Sequence, residues 1–130
     1  MKTQKIILAI DDMLTDLSSL QVMLEKNFDV RICKSAGTAL KILETLKADL
    51  ILLDIEMPGM SGFEFLHTIR KRPEHWNTPV IIVSGHTEEE FFSHALKQGA
   101  DACIPKPVQA GELLRKIQEI LDKPSRHAPV

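Results

Sequence analysis

The sequence predicts an α/β fold: a doubly wound, parallel five-stranded sheet with helices on both faces. Three observations predict it. Short apolar runs recur roughly every 25 residues, the length of a strand plus a crossover helix. The runs are continuous rather than alternating, as in strands buried on both faces. The stretches between them carry apolar residues at helical spacing.

Each element follows in order. Ile6-Ile7-Leu8-Ala9-Ile10 reads as the first strand, and Leu17, Leu20 and Leu24 share one face of the first helix. Val30–Cys33 is the second strand, followed by a helical face of Ala36, Leu40, Leu43 and Leu46. Leu50–Leu53 is the third. The helix after it is started by Ser61-x-x-Glu64, a capping box, and shows Phe63, Leu66 and Ile69. Val80–Val83 is the fourth strand. Thr87-x-x-Glu90 reads as a second capping box ahead of Phe92, Ala95 and Leu96, with Gly99 as the stop. Ala102–Ile104 is the fifth strand, and the last helix buries a stripe of Ala110, Leu113, Leu114, Ile117 and Leu121 before Pro124. Parallel neighbours imply right-handed crossovers.

Composition narrows the function. A chain of 130 residues is one domain at roughly 100–200 residues each. Residues 1–123 carry the pattern; 124–130 read as a tail or the start of a linker. Sixteen basic against eighteen acidic residues leave a net charge of −2, which argues against direct nucleic-acid binding. Two cysteines make no disulfide framework, and no Cys/His spacing resembles a zinc site. The apolar run before Asp11 is too short for a signal peptide or a membrane span, so a cytoplasmic, reducing compartment is expected.

In open α/β sheets, ligands bind beyond the carboxyl ends of the strands. The first run ends in Asp11-Asp12, the third in Asp54, the fourth in Ser84-Gly85 and the fifth in Lys106-Pro107. The polar chemistry therefore falls on one rim. At about 4 Å and an effective dielectric near 20, two ionised carboxylates repel by on the order of 4 kcal/mol. Either a proton stays bound or a cation sits among them. All-oxygen ligands favour a hard cation such as Mg²⁺. Three carboxylates, one Mg²⁺ and one lysine sum to zero, a site that could accept a phosphoryl group. Aspartate can take that group as an acyl phosphate.

These residues, with Met57-Pro58-Gly59-Met60-Ser61-Gly62 after Asp54, resemble the receiver domain of two-component response regulators, of the chemotaxis-regulator kind. The resemblance covers about Lys5 to Asp122. It implies a flavodoxin-like (βα)5 three-layer sandwich with strand order 2-1-3-4-5. It implies Asp54 as phosphoacceptor from a histidine kinase or phosphotransfer protein. It implies Mg²⁺ (or Mn²⁺) held by Asp12, Asp54 and the Glu56 backbone carbonyl, with Asp11 acting through a metal-bound water. Lys106 would pair with Asp54 before transfer and with a phosphoryl oxygen afterwards, and Ser84 would bind another such oxygen. The Lys106–Pro107 bond would be cis. The output would be a conformational switch acting on a downstream protein or effector, with slow autodephosphorylation. The partner surface would be the fourth helix, fifth strand and fifth helix, and the resemblance admits dimerisation on phosphorylation.

One departure bears on the read-out. Cys103 stands where the family usually carries Tyr or Phe, and the chain has no tyrosine. The read-out is then expected through the Ser84–His86 loop and the following helix. Glu56 and His86, two residues beyond Asp54 and Ser84, occupy positions that tune hydrolysis in the family.

Other residues are read as structural. Cys33 and Cys103 are expected as core thiols on opposite edge strands, too far apart to pair. His67, His75, His94 and His127 are expected at the surface, Trp76 as loop packing, and one of Phe91 and Phe92 as exposed, marking a partner surface. Three other functions fit these residues less well. A phosphatase using Asp11 would want a second Asp where Met13 stands. A flavin binder would want a Gly/Ser/Thr phosphate cradle after the first strand. A degenerate receiver that only makes contacts would not need the intact acidic cluster.

Overall fold

Each strand stops where its apolar run meets the polar rim. In a computed structural model describing residues 4–57 and 59–123, the strands are β1 (Ile6–Ile10), β2 (Asp29–Cys33), β3 (Leu50–Asp54), β4 (Val80–Ser84) and β5 (Ala102–Pro105). The helices are α1 (Leu14–Leu24), α2 (Ala36–Ile42), α3 (Gly62–Arg70), α4 (Glu89–Lys97) and α5 (Ala110–Leu121). Pro58, His127 and the expected tail lie outside the described residues. The sheet is parallel throughout, in the order β2-β1-β3-β4-β5, as expected.

Successive strand residues feed opposite layers, as the pleat requires. Leu8, Ile10, Ile51, Leu53, Val80 and Ile82 pack with Phe65, Leu66 and Ile69 of α3. Ile7, Ala9, Leu50, Leu52, Ile81 and Ile104 pack with Leu17, Leu20 and Leu24 of α1 and Leu113 and Ile117 of α5. The central strands β3 and β4 are buried along their whole length. β2 is not: Arg31 and Ile32 are exposed, because an edge strand lacks full cover.

The Ser61–Glu64 capping box forms as expected. The Thr87–Glu90 box does not. α4 starts later, behind Glu88, whose side chain makes no capping bond and instead faces His86 (Nδ1–Oε2 3.5 Å). Leu96 is exposed, not buried: Ala95 takes the core position, and the next residue turns about 100° away. Gly99, with φ of +111°, ends α4 as expected, with the Ala100 N–H donating to Ala95 O and the Gly99 N–H to Leu96 O. α2 is shorter than its apolar spacing suggests. It closes at Ile42, and Leu46 follows in a turn.

His75 is buried rather than at the surface. Its Nε2 lies 2.8 Å from the Leu43 carbonyl, and Nδ1 has no hydrogen-bond partner. His67 and His94 are exposed. Cys33 is a core thiol donating to Ser35 O, but Cys103 is only half-buried on the β5 edge; both are free. Phe91 and Phe92 are both half-buried, so neither is the exposed ring expected. Among the described residues, no helix is long and apolar enough to cross a membrane.

Candidate functional site

The parallel register assembles the rim. Ile10 pairs Leu53, so Asp11 and Asp54 each stand one residue past that pair. Asp54 pairs Val83, which puts Ser84 one step beyond on the neighbouring strand. Ser84 pairs Pro105, and Lys106 follows directly. The Lys106 N–H donates to the Ser84 carbonyl at 2.8 Å, which extends the β4–β5 ladder to the lysine.

Asp11, Asp54 and Ser84 are buried, at 2%, 6% and 2% exposure. Burial pushes the Asp54 carboxyl up to about 6, and the Asp11 charge pushes the same way. Lys106 and the Glu56 N–H partly offset this, and Asp12 adds a smaller upward push. Carboxylate oxygens of Asp11, Asp12 and Asp54 can lie within 4.8 Å of one another. An all-oxygen, triply acidic group at the mouth of a sheet fits a hard divalent cation.

The loop after β3 is shaped for this site. Gly59 has φ of +78°, a conformation costly for other residues. At Gly62 a Cβ would stand 2.8 Å from the Asp54 carbonyl oxygen and 2.8 Å from Ile55 Cα. Only glycine lets α3 start that close to the end of β3.

Lys106 is on the rim and pairs with Asp54 as expected, but two other carboxylates lie closer. Its Nζ donates to Asp16 Oδ2 at 2.9 Å and Asp11 Oδ2 at 3.1 Å, and lies 3.7 Å from Asp54 Oδ1. Burial alone would push the ammonium down. The bonds to Asp16 and Asp11 and the nearby carboxylates outweigh it and hold Lys106 above the ordinary lysine value. Asp16, in the first turn of α1, is absent from the sequence reading. Its signal was available: a further acidic residue in the turn that follows the rim.

Ser84 Oγ accepts from the His86 N–H at 3.1 Å. His86 Nε2 pairs with Glu56, and its ring stacks on Phe91 with centroids 4.8 Å apart. The two expected tuning residues thus meet, joining the loop after β3 to the loop after β4. Cys103, on β5, packs partly buried against the same core cluster as Phe91. The Lys106–Pro107 peptide bond is cis.

The family model for the response regulator receiver domain matches residues 7–118. The chain is 34% identical to the protein PilH of Pseudomonas aeruginosa, over 88% of this chain and 96% of PilH. It is 40% identical to the transcriptional regulatory protein CpxR homolog of Haemophilus influenzae, over 90% of this chain but only 50% of that protein. A CheY-like response regulator receiver domain protein from Methanospirillum hungatei is 38% identical with a TM-score of 0.82, over 92% of this chain and 95% of that one. The Vibrio cholerae chemotaxis protein CheY4 superposes with a TM-score of 0.85 at 25% identity, over 91% and 99%. A buried acidic rim, the parallel sheet that builds it and these likenesses agree: the chain belongs to the response regulator receiver domain family and is a module of phosphorelay signalling.

Proposed function

We propose that Asp54 is the phosphoacceptor of this chain. The observation that carries it is a carboxylate at 6% exposure, ending the central strand among Asp11, Asp12, Ser84 and Lys106. Receiver domains are switches between kinases and downstream effectors rather than enzymes in the ordinary sense. The chemistry here is self-directed. An Asp54 carboxylate oxygen attacks phosphorus, the P–N bond of a phosphohistidine breaks, and the imidazole leaves with the electron pair. The product is an acyl phosphate. Hydrolysis later returns phosphate and the free carboxylate, with Glu56 and His86 flanking the path of water.

The residues present fit Mg²⁺ or Mn²⁺, which Asp12, Asp54 and the Glu56 carbonyl would hold, with Asp11 acting through a bound water. Such a cation supplies charge neutralisation for the incoming phosphoryl oxygens. The chain's own residues do the rest. Lys106 offers a fixed positive charge beside the acceptor, and the Ser84 hydroxyl stands ready to donate to a phosphoryl oxygen. Both are preorganised by the β4–β5 ladder, so little reorganisation is needed during transfer.

The test is intact mass after incubation with acetyl phosphate and Mg²⁺, for wild type and Asp54→Asn. The expected result is a gain of one phosphoryl group that needs Mg²⁺ and is absent in the variant. A wild type that takes up neither acetyl phosphate's phosphoryl group nor beryllofluoride would overturn the reading in favour of a contact module. Residues 1–123 act as one unit in this reading. The kinase, the effector and a phosphorylation-dependent dimer through α4, β5 and α5 are partners consistent with the family.

A further inference from the structure

Three carboxylates share the charge of Lys106, and the nearest is not the acceptor. The Lys106 Nζ is 2.9 Å from Asp16 and 3.7 Å from Asp54. An ammonium has three N–H donors; here two are engaged, by Asp16 and Asp11. Resting on the reading of Asp54 as acceptor, we propose that Asp16 is a positioning residue: it anchors the Lys106 ammonium off the acceptor in the unphosphorylated protein and so sets how readily a phosphoryl group is captured.

Asp16 and an incoming phosphoryl oxygen compete for one ammonium. Asp11 belongs to the acidic group that fits a cation, so its claim on Lys106 weakens when that group is neutralised. Asp16 lies outside the group. It therefore remains the carboxylate that competes with a phosphoryl oxygen for Lys106. Asp16 is well placed for this because α1 begins just after the Asp11-Asp12 pair, and the Asp11 carboxylate accepts from the Met13 N–H at 2.9 Å to fix that entry. An acidic group in a first turn is also favoured by the helix dipole.

Asp16 and Lys106 meet at a solvent-facing edge of the rim. Asp16 and Lys106 both line a cavity of about 400 Å³ between α1 and the segment after β5, walled by Leu20, Met23 and Val108. The Asp16 side chain is 42% exposed, so the pair is a partly solvated one. Its measurable worth is that of such pairs, which corresponds to about a two- to fivefold change in an equilibrium.

The experiment is calorimetric titration of the full chain, first with Mg²⁺ alone and then with beryllofluoride at saturating Mg²⁺. Wild type is compared with Asp16→Asn, Asp16→Ser and Asp16→Glu, with unfolding midpoints measured alongside. Asp16→Asn and Asp16→Ser should bind beryllofluoride about two- to fivefold tighter, in the range of an exposed ion pair, while Mg²⁺ binds no tighter. Asp16→Glu, which keeps the anchor's charge, should stay near wild type. A merely structural role would instead weaken both ligands together and lower the midpoint. Equal or weaker beryllofluoride binding in whichever of the Asn and Ser variants folds overturns the proposal. Failure of the wild type to bind beryllofluoride at all overturns the acceptor reading beneath it.

Discussion

Gly62 and Asp54 are in backbone contact: a Cβ on the glycine would lie 2.8 Å from the Asp54 carbonyl oxygen. The first residue of α3 thereby fixes the end of β3. Gly62→Ala forces one of the two backbones to move, and overpacking of that kind costs about 1–3 kcal/mol. Urea unfolding should show the loss, and the rate of phosphorylation by acetyl phosphate should fall with it. Gly59→Ala, strained by φ but with open space around it, should cost about 1 kcal/mol.

Asp54→Asn should stabilise the chain when metal is chelated. Burial and the Asp11 charge push the Asp54 carboxyl up to about 6 from 3.8. A raised value means that the folded form binds the proton more tightly, so this contribution is full below pH 3.8 and is lost as pH rises through 6. At pH 8 the asparagine variant should therefore be more stable than wild type by about 2–3 kcal/mol. The gap should close toward pH 4 and shrink when Mg²⁺ is added. Thermal melts with and without chelator read both effects.

Arg70 should be indispensable to the fold and irrelevant to the chemistry. Its guanidinium donates to the carbonyls of Gly99 (2.8 Å) and Thr78 (2.7 Å) and pairs with Asp101 at 3.2 Å. Asp101 in turn accepts from the Val80 N–H. Both side chains are nearly buried, at 11% and 7% exposure. Arg70→Ala strands those acceptors and should cost about 3–5 kcal/mol in chemical denaturation. Arg70→Lys should recover only part, because an ammonium lacks the planar fork.

Cys103 should be a poor nucleophile. Partial burial pushes its thiol up to about 11. At pH 8 it should hold on the order of a hundredfold less thiolate than a free cysteine. Peptide-resolved alkylation should show its rate still climbing between pH 9 and pH 11, where a free thiol levels off.

The alternation of strands and helices, the parallel sheet and the rim that gathers Asp11, Asp12, Asp54, Ser84 and Lys106 are legible in the residues alone. These follow from local periodicity and from what ends each apolar run, both written in neighbouring residues. The Ser61–Glu64 box was legible for the same reason: its partners are three residues apart. The long-range contacts are set by folding. Asp16 reaches Lys106 across 90 residues of chain, and His75 meets Leu43 across 32. α4 starts behind Glu88 rather than Thr87, Glu88 faces His86, and His86 in turn holds Glu56 on another loop. A side chain chooses its partner by distance in the folded state, and spacing along the sequence fixes that distance only within a turn or two of one element.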